Sequence, residues 1–429
     1  MTQGMLIAVS AWLLGLAFAG YVAATLLYGA NVIGGRISGG TRFAKAGRWA
    51  TNAHLLAVGL HFVAILARWQ GAGHWPTSNM YEFIGFMAFT SQLAFQVIIR
   101  MYRLNVLGAL VGPVGVFLMA YSYVFPPKVQ PLVPALKSYW LPLHVSMAAL
   151  GEGFFAVAFG AAFLYLLRVR GLELAAEAAG QGSIAVGAGS GVALPAGESK
   201  QSRFERTWGQ KGMELLFYGI SVMVGFTLLA LIFRYSGFQW LFERSTYHLP
   251  PIIGPVGEAV GSKGELFGLI PMPLVEAPGW MRGKHMNTML YSLAAGGLIY
   301  WLVRRFLAKG QPIGDWLARK VSGDPELLDE ISYRAVAIGY PVFTLGGLIF
   351  AMLWAKEAWG DYWFWDPKET WALIAWLVYS AYLHVRITHG WEGRRSAWLA
   401  VLGFGVILFT LIGVNLLIVG VHSYAGGDM

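Results

Sequence analysis

Residues 359–371 read WGDYWFWDPKETW, a dense aromatic run followed at once by the start of a helix. Five aromatic residues fall within the first seven positions of this stretch. Asp366 fits a helix N-cap, and Pro367 fits the first helical turn, where no amide donor is needed. Glu369 stands where a capping box requires a carboxylate. The stretch therefore predicts an aromatic shelf that leads directly into a helix.

The sequence on both sides of this run is apolar enough for a membrane protein. Apolar residues make up 57% of the chain and charged residues only 12%, which is about half the charged share of soluble domains. Apolar stretches of about 20 residues, the length that crosses a bilayer as a helix, recur along the chain. We predict an all-α, polytopic transmembrane helix bundle with ten spans: 5–30, 49–68, 80–99, 105–124, 141–168, 212–235, 286–306, 335–355, 368–388 and 397–421.

The basic residues indicate how the spans are oriented. Of the 31 Lys and Arg residues, 21 fall in the loops of one face and 10 in those of the other. By the positive-inside rule the first face is cytoplasmic, and both termini are extracytoplasmic. The first apolar stretch has no Lys or Arg before it and is too long for the core of a signal peptide, so we expect it to be a span. The net charge of +9 follows from this loop pattern and does not indicate a nucleic-acid partner.

The spans and loops divide the chain into four regions. Residues 1–168 form an N-terminal five-span membrane region, and the Ala/Gly/Ser-rich segment 169–211 is predicted to be a flexible cytoplasmic linker. Residues 212–325 form an inserted two-span region with a Pro- and Gly-containing outer loop. Residues 326–429 form a three-span region that contains the aromatic run. The chain has no cysteine, which excludes disulfides, thiolate metal sites and covalently attached haem of its own.

Two histidines lie at the predicted outer ends of spans, at the depth of the aromatic run. They are His144, within LPLHV, and His422, within VGVHS. Either one alone is more simply explained as an interfacial residue. Two imidazoles that face an aromatic shelf would, however, suit bis-His ligation of the iron of a large flat ligand such as haem.

A third histidine, His384, lies near the cytoplasmic end of its span. It is 18 residues, or about 27 Å along a helix, from Asp366, so it cannot reach the outer site. If it binds iron, it serves a second, inner haem, with His54 as one candidate partner; otherwise it is an interfacial residue. For His54 and His61 we favour a structural role, and for the buried carboxyl Glu152 we expect only a hydrogen bond to a neighbouring span.

Residues 359–369 resemble the tryptophan-rich WWD signature, WGxxWxWDxxE, of the haem-handling proteins of cytochrome c biogenesis. The flanking sequence resembles the CcsA (ResC) type of the System II pathway more than its System I relatives. The similarity covers roughly residues 45–168 and 326–425. It includes PTSNMYE at 76–82, HVS at 144–146, YR at 333–334, IGYP at 338–341, YLHVR at 382–386, GVN at 413–415 and HSY at 422–424.

The resemblance implies roles for individual residues. His144 and His422 match the family's two extracytoplasmic haem-ligand histidines, and His384 matches the transmembrane histidine that binds haem on its way out. The residues that match the WWD site are Trp359, Trp363, Trp365 and Asp366. No residue of this chain is assigned a catalytic role of its own, because the reactive groups belong to the haem and the substrate.

The same resemblance implies a function, a location and partners. The chain would bind haem b in the bacterial inner (plasma) membrane and present it outside for attachment to the CxxCH cysteines of apocytochrome c. It would act as part of a cytochrome c haem lyase (synthase) complex, with haem export as an additional activity to test. The implied partners are a CcsB/ResB-type subunit, which supplies the other transmembrane ligand, apocytochrome c itself and a thioredoxin-like thiol reductant.

Two other functional classes remain open at this stage. A haem b electron-transfer subunit would also place histidines in its spans, but it does not need an outer tryptophan run. A small-solute transporter would show internal repeats and interrupted spans at matching positions, and the sequence has no such symmetry. Spans 212–235 and 286–306, with the loop between them, are additions to the usual family pattern.

Overall fold

The computed structural model describes residues 2–37, 41–102, 104–129, 131–132, 134–179, 184–185, 194–195, 200–235, 252–254, 265–266, 269–277 and 283–414. Nearly all of these residues are helical, and the described chain separates into two compact units. Unit 1 contains residues 1–122, 127–198 and 317–425, and unit 2 contains residues 123–126, 199–316 and 426–429. The all-α membrane fold predicted from the sequence is confirmed.

Unit 1 begins with four long helices. They are α1 (Gln3–Ile37), α2 (Thr41–Ala72), α3 (Met80–Tyr102) and α4 (Asn105–Ser122). Helices α1 and α2 pack against each other along much of their length, while α4 contacts both α1 and α3. All four are apolar enough to span a bilayer, where a helix satisfies every backbone hydrogen bond within the segment.

Helix α5 (Trp140–Ala178) is the central helix of unit 1 and contacts helices from both halves of the sequence. It is apolar on all sides, as expected for a helix surrounded by other helices. Its glycines allow close approach: a Cβ added at Gly151 would lie 2.8 Å from the backbone nitrogen of Phe343. Because of such contacts, α5 and the C-terminal helices form one packed body.

The C-terminal part of unit 1 contains α9 (Pro325–Phe343), α10 (Ala351–Trp359), α11 (Pro367–His389) and α12 (Arg394–Leu408). A π-helical turn, Thr344–Phe350, joins α9 to α10, and a second, Phe409–Val414, continues α12. Helix α11 begins as predicted. Asp366 is the N-cap, and its side chain accepts a hydrogen bond from Lys368 N, while Glu369 completes a capping box.

Ion pairs connect the helix ends of unit 1 that lie far from the aromatic run. The buried Arg386 guanidinium lies 2.6 Å from an oxygen of Asp329, which joins α11 to α9. The other Asp329 oxygen accepts a hydrogen bond from Ser396 of α12. Arg394 forms a further ion pair with Glu173 of α5. These four helices are therefore held together at this end by charge as well as by apolar packing.

Unit 2 is built around two helices, α6 (Lys200–Tyr235) and α7 (Gly283–Leu302). They approach closely where Gly225 meets Gly296, since a Cβ on either glycine would overlap the other helix. Helix α7 continues through a π-helical turn, Val303–Leu307, to the short α8 (Ile313–Ala318), and Glu214 of α6 accepts a hydrogen bond from Gly314 N.

Three two-residue strand pairs complete the described chain. In unit 1, β1 (Ile184–Ala185) pairs antiparallel with β2 (Leu194–Pro195). In unit 2, β3 (Ile253–Gly254) pairs parallel with β6 (Val275–Glu276), and β4 (Glu265–Leu266) pairs antiparallel with β5 (Ile270–Pro271).

The structure corrects two boundaries of the sequence prediction. The predicted linker 169–211 is helical at both ends, because α5 continues to Ala178 and α6 already begins at Lys200. The extension of α5 is supported by ion pairs from Arg170 to Glu173 and Glu177. Among the described residues, nine helices are long and apolar enough to cross a membrane. The predicted span 368–388 corresponds to α11, which is not one of these nine. Trp and Tyr supply much of the apolar surface of α11, and these residues contribute little to the mean hydropathy by which the nine helices are recognised.

Candidate functional site

His144 lies in the second turn of α5, and a neighbouring backbone carbonyl holds its ring. The Nδ1 atom lies 2.9 Å from the carbonyl oxygen of Gly346 in the first π-helical turn. A carbonyl only accepts hydrogen bonds, so Nδ1 must carry the hydrogen, and the lone pair of the neutral ring is on Nε2. A histidine that ligates iron commonly donates its other ring N–H in this way. His144 therefore fits a haem-iron ligand.

An aromatic chain leads from His144 to the WWD run. The imidazole stacks on the indole of Trp354, with ring centroids 5.9 Å apart and planes 13° from parallel. Trp354 in turn meets Trp359 edge-to-face at 6.4 Å. The fold thus brings His144 and the beginning of the run together, although more than 200 residues separate them in sequence.

The run itself is held in an unusual backbone conformation. Trp365 has φ of +57°, a left-handed conformation that is unfavourable for a bulky residue, and its side chain is 69% exposed. The Glu369 carboxylate accepts hydrogen bonds from the N–H groups of Phe364 and Asp366, the two neighbours of Trp365. The capping box therefore does more than start α11, because it also fixes the turn that directs Trp365 outward.

The other aromatic residues of the run complete an apolar shelf. Trp363 lies edge-to-face with Trp365 at 5.8 Å, and Tyr362 and Phe364 are both exposed. The indole N–H of Trp363 is buried and has no hydrogen-bond partner among the described residues, so it is available to an acceptor on a ligand. Exposed rings beside a buried, unsatisfied donor suit a flat apolar ligand with polar edges, as haem is.

A cavity of about 190 Å³ lies beside His144 within unit 1. Its wall is mostly apolar and includes Trp354, but it also contains three ionisable side chains, His144, Glu152 and Lys368. Ligand pockets usually measure about 300–1,000 Å³, so this cavity accommodates only part of a large ligand. Glu152 makes no hydrogen bond to any described residue. The expected bond to a neighbouring span is therefore not observed, and the side chain lines the cavity instead.

A buried ion pair secures the loop that closes one side of the cavity. Arg68 of α2 lies 2.8 Å from Glu82 of α3, and the second Glu82 oxygen accepts hydrogen bonds from the backbone and hydroxyl of Ser78. Ser78 and its neighbours Thr77 and Asn79 line the cavity. The sequence prediction missed this pair, although the acid is part of the PTSNMYE motif.

The remaining predicted ligands lie elsewhere. His422 falls outside the described residues, so the outer histidine pair stays a prediction. His384 is exposed on α11, and its ring centroid is 5.6 Å from that of His389. His389 is the last residue of α11, one residue beyond the predicted span 368–388.

His54 is engaged with other side chains on both sides of its ring. Its Nδ1 lies 2.7 Å from the side-chain oxygen of Gln96, and its Nε2 lies 2.8 Å from that of Gln92. His61 is likewise buried and contacts the Tyr21 hydroxyl at 3.2 Å. This geometry agrees with the structural role favoured from the sequence. It gives no support to His54 as a ligand that pairs with His384.

The fold and site define the chain as a polytopic helical membrane protein with a partly buried, oriented imidazole beside an outward-facing tryptophan run. The family model for cytochrome C assembly proteins matches residues 77–244 and 285–422, and the chain belongs to this family. It is of the CcsA type, as the sequence flanking the WWD motif predicted, and it has a role in cytochrome c biogenesis. Its place as a multi-pass membrane protein is likewise confirmed.

The curated relatives support this over most of the chain, and each is named cytochrome c biogenesis protein CcsA. The protein of Synechococcus sp. (strain JA-2-3B'a(2-13)) is 32% identical over 381 residues, which cover 87% of this chain and 84% of the relative. That of Nostoc sp. (strain PCC 7120) is 32% identical over 369 residues, or 83% of each chain. That of Gloeobacter violaceus is 31% identical over 436 residues, or 99% of this chain and 98% of the relative. The spans at 212–235 and 286–306, expected to be additions to the family pattern, thus have counterparts in a relative.

Proposed function

We propose that this protein binds haem b at the aromatic end of unit 1 and presents it, on the extracytoplasmic side, for covalent attachment to apocytochrome c. His144 and His422 are the axial ligands of the iron. Trp359, Trp363, Trp365 and Asp366 form and hold the apolar shelf beside it. The orientation of His144 is the observation that carries this proposal, because the Nδ1–H donated to Gly346 puts the lone pair of the neutral ring on Nε2, the atom that would ligate iron.

Each group of this chain acts by binding and positioning. His144 holds the ligand at one edge of the cavity, the exposed rings of Phe364 and Trp365 supply stacking area, and the indole N–H of Trp363 offers a hydrogen bond. A bound haem would supply the vinyl groups, and the S–H bonds of the apocytochrome c thiols would add across them to form thioethers. The apolar shelf and cavity wall exclude water from these groups, and fixing two reactants in place accounts for much of the acceleration expected of such a site.

The inner haem site is proposed to be completed by a partner. His384 is exposed on α11, and the ring nitrogens of His54 are already engaged with Gln92 and Gln96. A histidine from a CcsB/ResB-type subunit is therefore the better candidate for the second inner ligand. With that subunit and a thiol reductant of the thioredoxin type, the chain would form a haem lyase complex of the System II pathway.

The test is to compare His144→Ala with wild type in cells that express an apocytochrome c. We expect the variant to accumulate in the membrane, to lose haem on purification and to mature little cytochrome c. Added imidazole should restore part of the maturation by filling the vacant axial position. His74→Ala is a matched control, since His74 does not line the cavity. Normal maturation by His144→Ala would exclude His144 as the ligand.

A further inference from the structure

The π-helical turn Thr344–Phe350 interrupts what is otherwise a continuous helix of 35 residues. Such turns are rare, and they occur frequently at functional sites because the wider turn disturbs the ordinary backbone ladder. Here the carbonyl of Gly346, within the turn, accepts the hydrogen bond from His144. An undisturbed helix would use this carbonyl for its own i+4 amide.

The turn approaches the helix that carries His144 very closely. A Cβ added at Gly346 would lie 2.3 Å from the backbone nitrogen of Ala148 and 2.6 Å from the carbonyl carbon of Met147. Both atoms belong to the backbone of α5 and cannot rotate away. Any side chain at position 346 would therefore push the turn and α5 apart, and it would lengthen the bond between His144 and Gly346.

Helix α11 holds the turn from the other side. The indole N–H of Trp376 donates to the hydroxyl of Thr344 at 3.0 Å, and this hydroxyl donates in turn to the carbonyl of Tyr340. The Tyr340 ring stacks on Trp376, and its hydroxyl bonds to Ser380 at 2.7 Å. The first residue of the π-helical turn is thus tied to α11, the helix whose N-terminus carries the aromatic run.

We infer that this π-helical turn is the positioning element of His144, with Gly346 and Trp376 as its positioning residues. The inference rests on the proposed function, in which His144 ligates haem iron. The carbonyl of Gly346 holds the Nδ1–H tautomer and the ring plane, and the hydrogen bond makes Nε2 a stronger donor to iron. A stronger axial donor favours the ferric state, so the turn lowers the reduction potential of the bound haem.

Two substitutions test this inference, each beside a control of the same chemistry. Gly346→Ala removes the close approach, whereas Gly405→Ala adds a methyl group at a helical glycine with open space around it. Trp376→Phe removes the N–H donor to Thr344, whereas Trp371→Phe alters the same helix at a residue whose ring contacts Phe409 at a tilt of 47°. All four variants are purified with the partner subunit, and haem occupancy and midpoint potential are measured.

We expect Gly346→Ala to weaken haem binding about 10–100-fold, as loss of an outer-shell partner of a metal-ligating histidine does. Its midpoint potential should shift to more positive values, and added imidazole should restore part of its cytochrome c maturation. Trp376→Phe should shift the potential in the same direction by less. Both controls should match wild type. ¹⁵N chemical shifts of labelled histidine in the haem-free protein should show the Nδ1–H tautomer of His144 in wild type and lose it in Gly346→Ala.

The outcomes separate this inference from the proposed function. If His144→Ala retains haem and matures cytochrome c normally, the proposed function is wrong. If His144→Ala is defective, but Gly346→Ala has the potential and the haem affinity of Gly405→Ala, the turn has no positioning role. If Gly346→Ala does not accumulate in the membrane, the test is the midpoint potential of Trp376→Phe. A potential equal to that of Trp371→Phe would overturn the inference.

Discussion

The buried ion pair between Arg68 and Glu82 is expected to be the costliest single contact to break near the cavity. The two side chains are 8% and 0% exposed, and Glu82 also accepts two hydrogen bonds from Ser78. Glu82→Ala leaves the Arg68 charge buried without its partner, for which about 3–5 kcal/mol of lost stability is typical. It also releases the loop that lines the cavity, so haem occupancy should fall with stability.

Glu330→Ala is the matched control for this substitution. Glu330 pairs with Arg334 at 2.5 Å, but these side chains are 38% and 52% exposed. Exposed pairs contribute about 0.2–1 kcal/mol, so the control should be nearly neutral. The loss of helicity during titration of the purified protein with a denaturing detergent measures the change in stability that each of the two variants shows relative to wild type. Equal stability of the two variants would refute the reasoning, because burial would then not determine the cost of losing the carboxylate.

Three further predictions concern the site itself. Trp363→Ala and Trp365→Ala should lower haem occupancy while membrane insertion stays near normal. Trp12→Ala, at an exposed tryptophan, is the control and should change neither. Loss of the protein from the membrane without a haem defect would favour a purely structural role for Trp363 and Trp365. Asp366→Ala should lower the stability of the protein by about 0.5–2 kcal/mol through loss of the N-cap of α11, and it should bind less haem. Asp366→Asn should keep most of the stability and most of the haem, since Asn also caps helices well. An Asn variant as defective as the Ala variant would show that the negative charge is required. His384→Ala should remove one haem from the complex with the partner subunit, and His54→Ala should remove none. If the isolated subunit holds two haems and His54→Ala loses one of them, the inner haem is held by His384 and His54 of this chain instead.

The membrane spans and the start of α11 were predictable because their causes are local. A helix of apolar residues satisfies its own backbone hydrogen bonds in a bilayer, so apolar length alone indicates a span. The Asp366-Pro367 start depends on contacts within a few residues, and the structure has the predicted cap. The linker prediction failed at both ends for the opposite reason. In α5, the ion pairs of Arg170 with Glu173 and Glu177 support helical structure past the apolar stretch.

The residue types of the site were also predictable, but their geometry was not. The WWD run and His144 are evident as motifs, and the family they indicated is confirmed. The conformation of Trp365 depends on the reach of the Glu369 carboxylate to two backbone amides, which a helix-capping pattern alone does not indicate. The engagement of His54 depends on Gln92 and Gln96, which belong to another helix.

The sequence by itself determined that this protein is a helical membrane bundle, and which residue types stand beside its aromatic run. The tertiary structure decided which ring nitrogen of His144 carries the hydrogen, because the accepting carbonyl belongs to Gly346, 202 residues away. That carbonyl is presented by a π-helical turn, Thr344–Phe350, in an apolar stretch that contains two adjacent glycines. The glycine pair indicates that the helix is weak at this point. The contacts with α5 and α11 decide that the turn is π-helical and which carbonyl it presents, and these helices are far away in sequence.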